Sequence, residues 1–152
     1  MSDPKSGLDA NLLDAISARG FSRAIIVGGT SAVPSKVKSQ LSGAGVGDVT
    51  RLSGTTRYET SKAIAEHELT SGFTFDGVVF ATGTNYPDAL AAGPLAGKSS
   101  SPVLLVGQGS SAAASLARRY SGQVSSAYVV GGTSAVSDNE ARSLASALGL
   151  IY

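Results

Sequence analysis

Residues 24–33 read Ala-Ile-Ile-Val-Gly-Gly-Thr-Ser-Ala-Val, and residues 127–136 read Ala-Tyr-Val-Val-Gly-Gly-Thr-Ser-Ala-Val. Eight of the ten positions are identical at an offset of 103. Each copy begins with a short apolar run rich in β-branched residues, turns on two glycines and small hydroxylated residues, and then takes up helical spacing. That order predicts a strand, a tight turn and a helix. Self-similarity of this specificity marks a repeated supersecondary unit. It extends outward, since Leu13 matches Leu116 and Leu41 matches Leu144 at the same offset, so each copy reads helix, strand, turn, helix. Residues 47–110 occur once. The chain is therefore read as one and a half repeats, with residues 1–47 the tail half of a preceding repeat and residues 48–152 one complete repeat.

Five apolar runs are expected as strands: 24–27, 49–52, 78–81, 103–106 and 127–130. None alternates with polar residues, which predicts strands buried on both faces. The segments between them carry helical spacing, as at Leu8, Leu12, Leu13 and Ile16, at Tyr58, Ala65 and Leu69, and at Leu144 and Leu148. Thr56 with Glu59, and Ser137 with Glu140, have capping-box spacing, and Pro34 and Pro87 suit first helical turns. Alternating helices and strands expected to be buried throughout predict an α/β fold. Its mostly parallel sheet would have about five strands with helices on both faces, a three-layer arrangement of Rossmann-like or toprim-like type.

Composition narrows the partners. A chain of 152 residues is of single-domain size and can bury roughly 70% of its unfolded surface without staples. Charged residues make up 15% of it, against about 25% in an average domain, so its surface polarity must come from Ser, Thr, Asn and Gly. The net charge of +1 provides no bulk field for nucleic acid or an anionic bilayer, and neither is expected as a partner. Cysteine is absent, which removes disulfides, thiolate nucleophiles and Cys-based metal sites. No apolar run approaches the ~20 residues needed to span a bilayer. Residues 1–5 lack the apolar core of a signal peptide, so export would require a signal upstream.

Ligands of open parallel sheets bind beyond the carboxyl ends of the strands, where loops expose amides and helix N-termini. Four loops qualify: Gly28-Gly29-Thr30-Ser31, residues 53–57, residues 82–88 with Thr82 and Asn85, and Gly131-Gly132-Thr133-Ser134. Their glycines and hydroxyls can cradle a phosphate or hydrogen-bond a sugar, although the same glycines also serve any tight strand-to-helix turn. Arg51 and Arg57 flank the second loop, and a guanidinium forks onto phosphate or carboxylate. Either could instead bind Glu59, Asp88 or helix carbonyls. Asp88, just after Pro87, reads first as a favourable charge at a helix N-terminus.

Catalytic readings find little support. His67 is the only histidine and stands between Glu66 and Glu68, where a solvated helix face is expected. No Gly-x-Ser-x-Gly elbow, His-Glu-x-x-His helix or phosphate-binding P-loop occurs. Residues 107–112 follow the Gly-x-Gly-x-x-Ala dinucleotide pattern, but no acidic residue lies between Asp88 and Asp138 to bind a ribose. No cofactor, metal or catalytic residue is expected.

Three ordered segments resemble the cell-wall-binding repeat 2 family. They are residues 51–60 (Arg-Leu-Ser-Gly-Thr-Thr-Arg-Tyr-Glu-Thr), residues 85–105 from Asn85-Tyr86-Pro87-Asp88 to Pro102-Val103-Leu104-Leu105, and residues 130–137 (Val-Gly-Gly-Thr-Ser-Ala-Val-Ser). The resemblance implies a non-catalytic module of Gram-positive surface-layer proteins and wall-associated hydrolases, often in three tandem copies around a pseudo-threefold axis. It implies non-covalent anchoring to anionic wall polymers and a location at the cell wall. In clostridial members a Pro-Ile-Leu-Leu motif is implicated in binding, and Pro102-Val103-Leu104-Leu105 is its counterpart here. Read from its residues alone, that segment is a buried strand opened by proline. Neighbouring repeats or a homo-oligomer, as a trimer, are the expected protein partners, because a single module would leave inter-module surface exposed.

Overall fold

A computed structural model of the protein describes residues 7–107 and 111–150. The chain forms two compact units, Met1–Thr55 and Thr56–Tyr152. The first holds α1 (Ala10–Arg19), β1 (Arg23–Val27), α2 (Lys36–Gly43) and β2 (Asp48–Leu52). The second holds α3 (Arg57–Thr70), β3 (Gly77–Thr82), α4 (Tyr86–Lys98), β4 (Val103–Val106), α5 (Ala112–Arg119), β5 (Ser126–Val130) and α6 (Asp138–Leu148). Residues 48–52, expected to open the complete repeat, form β2 and pair with β1 inside the first compact unit.

Local signals set the element ends. Thr56 accepts a hydrogen bond from the Glu59 N–H and Ser137 one from the Glu140 N–H, both at 3.3 Å, so both expected caps form. Asp9 caps α1 through the Leu12 N–H at 2.9 Å, and Gly20 in the left-handed conformation closes that helix. Pro87 lies in the first turn of α4. Pro34 instead precedes α2, where its carbonyl accepts from the Val37 N–H at 3.0 Å.

All strand pairs are parallel, but the five strands form two sheets: β1-β2 in the first unit and β4-β3-β5 in the second. This corrects the expectation of one five-stranded sheet, and the reason lies in which edge each strand uses. The Gly28 N–H donates to Leu52 O at 2.9 Å and the Asp48 N–H to Ser22 O at 3.0 Å, so even-numbered residues of β1 turn their backbone groups to β2. In β3, Val79 and Gly83 donate to Pro102 and Val106 carbonyls, so odd-numbered residues face β4 and even-numbered ones face β5. The register Gly77↔Ser126 and the bond from Ser126 N–H to Asp76 O then turn even-numbered β5 residues to β3. Because the repeat offset is odd, the edge of β1 that is free of β2 corresponds to the edge of β5 that reaches β3. β3 has only two edges, taken by β4 and β5, so β1 has no place beside it.

Of the five described strands, only β3 is buried along its whole length. β1, β2 and β5 have exposed positions, which corrects the expectation of strands covered on both faces. In the second unit, Val78, Phe80, Leu104 and Val106 pack under α3, α5 and α6, while Val79 and Ala81 pack against Ala92 and Ala96 of α4. That part is a three-layer sandwich. In the first unit Ile26, Val37, Leu41, Val46 and Val49 form a smaller core. There the opposite face of β1, with Ile25 and Val27, is exposed.

Candidate functional site

The two Gly-Gly-Thr-Ser copies fold alike. Ala32 and Val33 N–H groups donate to Gly29 O at 3.1 and 2.9 Å, and Ala135 and Val136 donate to Gly132 O at 2.8 and 3.1 Å. Gly28 and Gly131 have φ values of +110° and +125°, a region that disfavours any side chain. Thr30 and Thr133 are exposed beside these turns.

In the first unit Arg51 is committed to shaping its own loop. Its Nη1 donates to Gly28 O at 2.6 Å and its Nη2 to Pro34 O at 3.4 Å. Both carbonyls belong to the segment linking β1 to α2.

In the second unit the loop after β3, the start of α4 and Leu105 of β4 meet the start of α3 around a cavity of about 560 Å³, lined by Arg57, Thr82, Gly83, Thr84, Asn85, Tyr86, Ala89 and Leu105. Three of the candidates read from the loops, Arg57, Thr82 and Asn85, thus come together with Leu105 of the strand motif. Arg57 is exposed and its Nη1 donates to Gly83 O at 2.6 Å. Thr82 is buried, and its Oγ1 lies 2.8 Å from Thr84 Oγ1 and accepts the Thr84 N–H at 3.3 Å. Asn85 accepts the Tyr86 N–H at 3.0 Å and starts α4. Gly83 is required by contact, since a Cβ there would stand 2.5 Å from Tyr58 Cε1. A guanidinium, hydroxyls and an amide around one opening can bind a phosphate, a carboxylate or a sugar.

The strand motif divides between faces. Leu104 lies in the core under the helices and Val103 packs toward α4, while Pro102 is buried. Only Leu105 reaches the cavity, and its N–H donates to Ser61 Oγ at 3.0 Å. Gly131 serves a second purpose, because a Cβ there would come within 2.8 Å of Asp88 Oδ2. Asp88 on α4 therefore sits against the Gly131-Gly132-Thr133 turn. Thr84 and Tyr86 fall inside the candidate loop 82–88 without being picked out individually, Tyr58 reads from sequence only as a helical apolar position, and Ser61 is not singled out from sequence. The one available signal was the spacing of Tyr58 and Ser61, three apart on one helix face.

His67 is half-buried rather than on a solvated face. Burial pushes the Glu68 carboxyl above its ordinary 4.5, an effect that the neighbouring His67 charge opposes. Glu68 Oε2 finds no hydrogen-bond partner among the described residues. Among the described residues no group of three His, Asp or Glu is placed to hold a metal, and no helix is long and apolar enough to cross a membrane. Gln108, Gly109 and Ser110 of the dinucleotide-like pattern lie outside the described residues.

Residues 51–140 match the family described as cell wall binding domain 2 (CWB2). The chain is 30% identical over 143 residues to the N-acetylmuramoyl-L-alanine amidase LytC of Bacillus subtilis (strain 168), covering 92% of this chain and 27% of that protein. Its fold matches Cwp8 from Clostridium difficile with a TM-score of 0.76 and 27% identity, over 97% of this chain and 24% of that one. It matches Cwp6 from Clostridium difficile with a TM-score of 0.81 over 92% of this chain and 22% of that one; at 24% identity this shows the fold alone. The chain thus spans about a quarter of the length of these proteins. With more than half of its length matched by the family, the chain belongs to the cell wall binding domain 2 family and is a non-catalytic wall-binding module.

Proposed function

We propose that this module holds an anionic polymer or polysaccharide of a Gram-positive cell wall through the cavity around Arg57, and so anchors its parent protein non-covalently at the cell surface. The observation that carries this reading is the convergence of Arg57, Thr82, Thr84 and Asn85 on one opening. Arg57 supplies the cation for a phosphate or carboxylate, and the hydroxyls and amide supply partners for sugar oxygens. The Gly28-Gly29-Thr30 and Gly131-Gly132-Thr133 turns offer further exposed threonines of the same chemistry. Exposed charge contacts are worth only ~0–1 kcal/mol each, so firm anchoring comes from several modules engaging one repetitive polymer. The test is binding to purified wall sacculi before and after removal of their anionic polymers, for the native chain and Arg57→Ala across a salt series. Loss of binding on polymer removal, with weaker and less salt-sensitive binding by Arg57→Ala, is expected. Binding unchanged by both manipulations would overturn it.

A second reading, packing against neighbouring repeats or copies in a trimer or surface layer, is favoured by α4. Tyr86, Leu90 and Leu95 are exposed along it. Light scattering of Leu90→Glu against the native chain tests this, with a smaller assembly expected for the variant.

A further inference from the structure

The two copies of the repeat differ in one respect that bears on assembly. β1 carries β2 on the edge formed by its even-numbered residues, and the odd repeat offset makes the outer edge of β5, formed by Ala127 and Val129, the equivalent edge. At the end of that edge, Gly28 N–H donates to Leu52 O at 2.9 Å, whereas the equivalent Gly131 N–H has no such bond among the described residues. The side chains agree. Ile26 is 5% exposed beneath β2, whereas its equivalent, Val129, is 37% exposed. An apolar cavity of about 190 Å³ runs alongside, lined by Phe80, Val129, Leu144, Leu148 and Leu150 among others. In the first unit Val49 of β2 joins the core cluster with Ile26 and Leu41.

We infer that the outer edge of β5 is a strand-acceptor site for a parallel strand of the β2 type from a further repeat, reached from α6 as β2 is reached from α2. The route exists in the chain geometry. After α2 the Val46 N–H bonds back to Leu41 O at 3.1 Å, and after α6 the Leu150 N–H bonds back to Ala145 O at 2.9 Å. Gly45 and Gly149, at φ +93° and +77°, make the same left-handed exit. A β2-type strand would pair with Ala127 and Val129, place an apolar side chain into the cavity, and extend β4-β3-β5 to four parallel strands. Such an edge, open and apolar, is a template for strand addition. Successive repeats would thereby be tied by a shared sheet rather than by surface packing, independently of which polymer the Arg57 cavity holds.

The test is the chain in which Ile151 and Tyr152 are replaced by a copy of residues 47–55, compared with the same nine residues in scrambled order at that place. Amide hydrogen exchange at Ala127, Val129 and Gly131 is expected to slow by about tenfold or more in the first relative to the second. Methyl cross-relaxation is expected between the grafted copy of Val49 and Val129. Equal exchange in both proteins would overturn the inference. Protection of the same amides in the unextended chain that rises with protein concentration would also overturn it, showing that a second copy fills the edge.

Discussion

The Arg57 guanidinium donates to the Gly83 carbonyl at 2.6 Å, tying the first turn of α3 to the loop after β3. A hydrogen bond from a charged group is worth about 1.5–3 kcal/mol, and the exposure of Arg57 places it at the low end. Arg57→Ala is expected to cost about 1.5 kcal/mol in denaturant unfolding and to weaken sacculus binding. Arg57→Lys keeps the charge but loses the planar fork, so its binding is expected to be intermediate.

Arg51 is expected to act through folding. It closes the loop after β1 through Gly28 and Pro34 carbonyls. Arg51→Ala should speed amide exchange at Ile26 and Val49 in the first unit. Under conditions where both variants remain folded, it should reduce wall binding less than Arg57→Ala does.

Gly83→Ala introduces a Cβ that would stand 2.5 Å from the Tyr58 ring. Overpacking of this kind costs about 1–3 kcal/mol. In a Tyr58→Ala background the same change should cost far less, and a double-mutant cycle of unfolding free energies measures the difference.

Leu104 and Leu105 are neighbours with opposite duties. Leu104→Ala empties a core position and should destabilise by about 2–5 kcal/mol, read as a fall in melting temperature. Leu105→Ala, at a half-buried cavity wall, should cost less stability and change binding instead.

Glu68 gives a pH signature. Its carboxyl is raised above 4.5 by burial in the folded chain, so between 4.5 and the raised value the folded state holds more protons than the unfolded one. Its stabilising effect is therefore present at low pH and is lost as pH rises through that window. Glu68→Gln should raise the melting temperature at pH 7 and remove that part of the pH dependence.

Much of the local structure was legible in sequence. The Gly-Gly-Thr-Ser copies dictated two equal turns, Thr56 and Ser137 dictated two caps, and the five apolar runs dictated five strands, because glycine dihedrals, capping hydroxyls and β-branched packing act over a few residues. The ordered motifs from Arg51 to Ser137 likewise carried the wall-binding family. Tertiary structure alone decided that β1 and β5 enter different sheets, because β4 and β5 take the two edges of β3 while β1 pairs with β2. It alone separated the arginines, turning Arg51 onto Gly28 and Pro34 and Arg57 toward Thr82 and Asn85. Six positions apart in sequence, the two residues have the same chemistry, and what distinguishes them is which long-range carbonyls folding brings within hydrogen-bond reach, those of Gly28 and Pro34 for Arg51 and that of Gly83 for Arg57.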